Sequence, residues 1–164
     1  MSDIGSAVGQ REDDPFVALY EREFARACRL AHLLTGSNSG AEDIAQEAFL
    51  RMRPRLASID EPGRYLTTSV VNLSRNWHRR AGREQVRLAR MGAVRAQVPG
   101  PDAGGHDEVL AVVDRLPFRQ RTVLVARYWL DLSEAEIAAV LGCRPGTVKS
   151  LAARAMSTLR KELG

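Results

Sequence analysis

The stretch from Leu132 to Leu163, LSEAEIAAVLGCRPGTVKSLAARAMSTLRKEL, constrains the fold more than any other part of the chain. Ser133 and Glu136 stand at capping-box spacing, so each side chain can satisfy a backbone donor left free at a helix start. Leu132 and Ile137 occupy the two positions of a hydrophobic staple around the same cap. Ile137, Val140 and Leu141 then give an i, i+3, i+4 apolar face. Gly142 is placed to end this helix in a left-handed conformation. A turn follows through Cys143, Arg144, Pro145 and Gly146, and Thr147 is a good N-cap for a second helix. The second helix buries Val148, Leu151 or Ala152, Ala155 and Leu159 on one stripe. Lys149, Ser150, Ala153 and Arg154 face outward near its start. The pattern is that of a helix-turn-helix, whose second helix a DNA major groove admits and whose first residues read the bases. The plain alternative is a helical hairpin with a solvated basic face.

Composition supports helices and a folded core. Hydrophobic residues make up 45% of 164 residues and aromatics only 5%, with Ala, Leu, Arg and Glu prominent. The expected fold class is all-α, with two small helical domains joined by a flexible linker. The net charge of +4 conceals an asymmetry. Residues 1–50 carry 4 arginines against 9 acids, residues 51–95 carry 11 arginines against 3 acids, and residues 96–164 carry 9 basic residues against 8 acids. The electrostatic footprint therefore lies in the middle third, outside the helix-turn-helix. A regulator with one DNA-reading motif has no need of this second basic region.

Residues 1–14 read as a flexible tail and residues 15–91 as a first helical block. Within that block Phe16, Leu19, Tyr20, Phe24, Ala27 and Ala31 keep helical spacing. Thr35 to Gly40 break the helix. Ser39 and Glu42 form a second capping-box pattern, opening a helix with Ile44, Ala48 and Phe49 inward. Pro54 ends or bends it, and Pro62 suits the first turn of a third helix. The Gly- and Pro-rich residues 92–106 read as a linker. Residues 107–164 form the second block.

Two constellations carry chemistry. On the third helix Asn72, Arg75, Asn76, Trp77, His78, Arg79 and Arg80 come close together, with Arg83, Arg87 and Arg90 extending the charge. Arginines neutralise phosphates, an indole can stack on an unpaired base, and an amide such as that of Asn72 offers both donor and acceptor. Trp77 taken alone fits a core aromatic better than a stacking platform; the arginines together point to nucleic acid. On the second helix, Glu42, Asp43, Gln46 and Glu47 make an acidic side. Such a stripe repels DNA and suits a protein partner, or else is a solvated face.

No phosphate-binding loop, no nucleophile elbow and no zinc-protease motif is present. The histidines His32, His78 and His106 are scattered without acid or nucleophile partners. Neither catalysis nor a cofactor is expected, so any strand opening would be driven by binding energy. Cys28 and Cys143 sit in apolar helical patterns as free thiols of a reducing compartment. Cys28 and His32 have metal-like i, i+4 spacing but no second ligand pair, and no metal is expected. With neither a leader pattern nor an apolar run of about 18 residues, the expected location is the cytoplasm, with no membrane contact of its own.

These blocks, in this order, resemble a bacterial RNA polymerase sigma factor of the extracytoplasmic-function (ECF) type. AEDIAQEAFLRM, Ala41 to Met52, is similar to the region 2.2 motif. YLTTSVVNLSRNWHRR is similar to the region 2.3–2.4 helix, particularly in the actinobacterial SigE-like branch. LPFRQRTVLVARYWLDLSEAEIAAVLGCRPGTVKSLAARAMSTLR resembles region 4. The resemblance covers nearly everything from Pro15 to Leu163 apart from the linker. It implies that residues 15–91 bind core polymerase at the β′ clamp helices and melt the −10 element. Asp43, Gln46, Glu47 and Arg51 then belong to the polymerase-facing surface, and Asn72 with Arg75 to Arg80 to the −10 strand contact. It implies that residues 107–164 dock on the β flap and read the −35 duplex through Arg144, Thr147, Lys149, Ser150, Ala153 and Arg154. An anti-sigma factor is an implied partner. Many family members carry Arg or Gln where this chain has Leu151, which either faces the core or touches a thymine methyl. The competing readings are a free-standing dimeric helix-turn-helix regulator and a protein-interaction module that binds no DNA.

Overall fold

Every element of the first half is an amphipathic helix whose ends are set by local chemistry. The computed structural model describes residues 14–92 and 108–164. Helix α1 (Pro15–Thr35) starts where the Asp14 carboxylate accepts the Phe16 N–H at 2.9 Å, with Pro15 at the first helical position. It ends at Gly36, whose φ of 71° lets its N–H bond to the His32 carbonyl. Phe16, Tyr20 and Phe24, four residues apart, form one stripe. They surround Phe49 of helix α2 (Asn38–Met52), with ring centroids 5.0 to 6.1 Å from it. Phe49 is only 1% exposed. Ile44, Ala48 and Phe49 all face inward as their spacing predicts.

The cap of α2 differs from the expected Ser39–Glu42 box. The N-cap is Ser37, which has an extended backbone and accepts the Gly40 N–H at 3.1 Å, while Ser39 already lies inside the helix. Ser37 alone has the conformation an N-cap needs. After Met52 a 3-10 turn (Arg53–Ser58) carries the chain through Pro54. Helix α3 (Pro62–Arg90) opens with Pro62 at its first position, as expected. Its first half buries Leu66, Thr67, Val70, Val71 and Ser74 against α1 and α2, whereas nearly all of residues 82–92 are exposed.

The second half contains helices α4 (Glu108–Arg115), α5 (Phe118–Tyr128), α6 (Glu134–Leu141) and α7 (Pro145–Leu163). The capping box at α6 is complete: the Glu136 N–H donates to Ser133 Oγ at 3.2 Å and the Ser133 N–H to Glu136 Oε2 at 2.8 Å. Gly142 closes α6 in the left-handed region at φ 63°. The start of α7 corrects the expected cap at Thr147. Arg144, in extended conformation, is the N-cap and Pro145 the first helical residue, which leaves Thr147 inside the first turn. A proline's fixed φ and missing N–H suit that first position. Val148, Ala152 and Ala155 are buried, and Leu151, Met156 and Leu159 pack on their flanks. Of the two candidates for the stripe, Ala152 is at its centre and Leu151 beside it.

The fold is all-α among the described residues. One apolar cluster runs through both halves, joining Leu34, Phe49 and Val70 to Val123, Ile137 and Val148. Helix α1 packs on α5, and α3 on α6. The tail expected over 1–14 and the linker expected over 92–106 lie outside the described residues, save Asp14 and Gly92, as does His106.

Candidate nucleic-acid and polymerase interfaces

Helix α7 presents Lys149, Ser150, Ala153 and Arg154 to solvent, and Arg144 is exposed at its N-cap. The buried stripe Val148–Ala152–Ala155 seats the helix on α5 and α6, and so turns the opposite face outward. Thr147 is half-buried. The Ser150 hydroxyl donates to the Gly146 carbonyl at 3.2 Å, which leaves its oxygen as the outward acceptor. Lys149 Nζ lies 3.8 Å from Glu134 across the turn, an exposed pair worth little energy. Leu151 is partly buried against the core, so of the two roles open to it the structure gives the packing one.

The seven residues expected on α3 divide between two faces. Asn72, Asn76, Arg79 and Arg80 are exposed. Asn76, Arg79, Arg80 and the next turn's Arg83 line one open basic recess. Trp77 and His78 point the other way. Trp77 packs against the first turn of α2, so closely that a Cβ at Gly40 would stand 2.8 Å from its Nε1. That contact supports the core reading of Trp77. His78 Nε2 is 2.6 Å from the Leu34 carbonyl, an acceptor, so this nitrogen carries the proton. Burial pushes the His78 pKa down. The Leu34 hydrogen bond pulls it back, the nearby Arg121 charge lowers it again, and Asp114 raises it. Arg75 is half-buried with its guanidinium 5.9 Å over the Phe118 ring.

On α2 the polar side expected to meet a protein is exposed at Asp43, Gln46 and Arg51, with Glu47 half-buried and bound to Arg51 at 2.7 Å. Leu50, missed by sequence reasoning, lies in the same patch and is 63% exposed. Its signal was a leucine outside the Ile44–Ala48–Phe49 stripe. Arg121 and Phe118 on α5 were missed as well. Arg121 is 6% exposed, and its signal was an arginine inside the apolar run of α5. Cys28 and His32 both line a cavity between α1 and α4, and among the described residues no group of three or more His, Cys, Asp or Glu side chains could hold a metal ion.

An all-α chain with a helix-turn-helix and a second, basic helix defines a DNA-binding class of protein. Residues 19–84 match the family model of sigma-70 region 2, and residues 106–159 that of sigma-70 region 4. The RNA polymerase sigma-E factor of Streptomyces avermitilis is 32% identical, over 82% of this chain and 77% of its own. The ECF RNA polymerase sigma factor SigL of Mycobacterium tuberculosis is 32% identical, over 90% of this chain and 89% of its own. Against a longer protein, the "probable RNA polymerase sigma factor RfaY" of Xanthomonas campestris, also 32% identical, the chain spans 36% of the length. Among solved structures it is similar to the sigma factor RpoE in complex with the anti-sigma factor NepR from Bartonella quintana. There the TM-score is 0.71 at 22% identity, over 90% of this chain and 96% of that one. The chain belongs to the sigma-70 family, as an ECF-type RNA polymerase sigma factor that directs promoter-specific initiation of transcription.

Proposed function

We propose a division of labour along the chain. Residues 15–91 bind core polymerase and open the −10 element, and residues 107–164 read the −35 duplex. The observation that carries this reading is the separation of three exposed surfaces: basic on α3, basic on α7 and mixed acidic–apolar on α2. On α2, Asp43, Gln46, Glu47 and Arg51 meet the β′ clamp helices, with Leu50 as their apolar centre. Charged groups surrounding one exposed leucine suit a protein partner, since such a rim excludes water from a small apolar contact.

On α3, Asn72, Asn76, Arg79 and Arg80 meet the non-template strand directly. Arg75 and His78 flank it, and Trp77 holds the helix in place from behind. On α7, Lys149, Ser150, Ala153 and Arg154 enter the major groove, while Arg144 and the half-buried Thr147 meet the backbone at the helix start. No residue has a catalytic role. The anti-sigma partner of the similar RpoE structure supports an anti-sigma factor as a partner here. Among the described residues no helix is long and apolar enough to cross a membrane, in keeping with a cytoplasmic site of action.

Co-elution with core polymerase tests the α2 assignment. The wild-type chain should bind. Leu50→Asp should weaken binding at least about tenfold, the effect of an unpaired charge at the centre of a contact. Equal retention of both proteins would overturn the assignment.

A further inference from the structure

Arg121 has no hydrogen-bonded carboxylate partner, although it is buried. Its donors go to main-chain carbonyls. Nε donates to Val113 O at 3.1 Å, and Nη2 to Asp114 O and to Leu116 O, all at the C-terminal end of α4. Nη1 donates to Leu34 O at 2.8 Å, at the C-terminal end of α1 in the other half of the molecule. A helix leaves its last carbonyls unpaired and carries partial negative charge there. One guanidinium thus caps a helix from each half, and charge-assisted hydrogen bonds replace the water that it has lost.

The same face of α5 brings Phe118 over the strand-facing helix. Its ring centroid lies 5.4 Å from that of His78, and Arg75 lies over it. His78 shares the Leu34 carbonyl with Arg121. The second half therefore covers Arg75 and His78, in the middle of the set assigned to the −10 strand, and leaves Asn72, Asn76, Arg79 and Arg80 open.

We propose that Arg121 is a latch that holds the second half of the free chain closed over α3, and that capture of the −10 strand requires Arg121 to release the Leu34 carbonyl. The proposal rests on the reading of α3 given above. Opening is cheap for the latch itself. Only one of its hydrogen-bonded carbonyls crosses between the halves, so release leaves Arg121 on the α4 carbonyls and passes Leu34 O to water, with no buried polar group left unpaired. A mostly closed population lowers the apparent affinity for any ligand of the open form by the fraction that is open.

The test uses the full chain, a pool of forked duplexes with a randomised unpaired non-template strand, and small-angle scattering. Arg121→Ala and Phe118→Ala should each increase the radius of gyration and tighten binding to the forked pool about tenfold, as expected when a closed state some tenfold in excess is removed. Phe118→Ala leaves the α4 cap intact, so it decides the matter alone if Arg121→Ala loses its helical circular dichroism. Folded variants with unchanged dimensions would overturn the latch, as would expansion with unchanged fork binding. Transcription by the wild-type chain with core polymerase is the separate arm. Its absence would sink the sigma reading, whereas its presence beside unresponsive variants would sink only the latch.

Discussion

At the scale of single residues, what a side chain touches decides its role. Arg154 is exposed on the outward face of α7, and the Val148 stripe behind it fixes its direction. Arg154→Ala should weaken −35 binding by about 1–3 kcal/mol if the guanidinium reads a base edge. Competition between −35 variants checks this: a loss confined to one base position marks base readout, and an equal loss across all sequences marks a phosphate contact. Gly40 matters for the opposite reason, because it makes room. An added Cβ would stand 2.8 Å from Trp77 Nε1, 3.1 Å from Ser37 Oγ and 3.2 Å from Trp77 Cε2. Gly40→Ala should therefore destabilise the first half by about 1–3 kcal/mol, the usual cost of overpacking. Thermal denaturation followed by Trp fluorescence would register it, and an unchanged midpoint would show that the indole can move aside.

At the scale of elements, helix ends carry much of the specification. The capping box of α6 fixes where the helix-turn-helix begins, and Ser133→Ala should cost about 0.5–2 kcal/mol. Chemical denaturation would measure this loss, and a cost near zero would mean that packing of Ile137 suffices without the cap. This box, the left-handed Gly142 and Pro62 at a helix start were all legible in the sequence, since each depends on contacts within a few residues. The starts of α2 and α7 were not. Ser37 and Ser39 are equally good capping residues by type, and only backbone conformation chooses between them. Thr147 lost to Arg144 because Pro145 favours the first helical position. The candidate site divides in the same way. Periodicity predicted the outward face of α7 and the inward residues of α2. It did not separate Asn72, Asn76, Arg79 and Arg80 from Trp77 and His78, since their burial depends on the first turn of α2 and the end of α1.

At the scale of the whole molecule, the two halves share one apolar cluster and a small polar junction around Leu34 O. That junction contains a titrating group. Burial lowers the His78 pKa, and the Arg121 charge lowers it further, against the Leu34 carbonyl and Asp114, which raise it. The packed state therefore prefers the neutral ring and binds a proton less readily than the unfolded chain does. Its stability is full above the ordinary histidine value of about 6.5 and falls as pH drops through that value. The melting temperature should rise between pH 5.5 and 8, with a shallower slope in His78→Gln. Identical slopes in the two proteins would remove His78 from the linkage.

The separation of the exposed surfaces on α2, α3 and α7 gives the account its functional content: one surface holds polymerase, one opens the duplex and one anchors it upstream. Transcription in vitro with core polymerase across a promoter library tests this most directly. The account predicts initiation from a restricted set of promoters sharing −35 and −10 sequences. It predicts that Arg154→Ala loses selectivity at the −35 element, and that Asn76→Ala with Arg79→Ala loses open-complex formation while −35 binding is kept. Initiation without sequence preference, or none at all with polymerase bound, would contradict it.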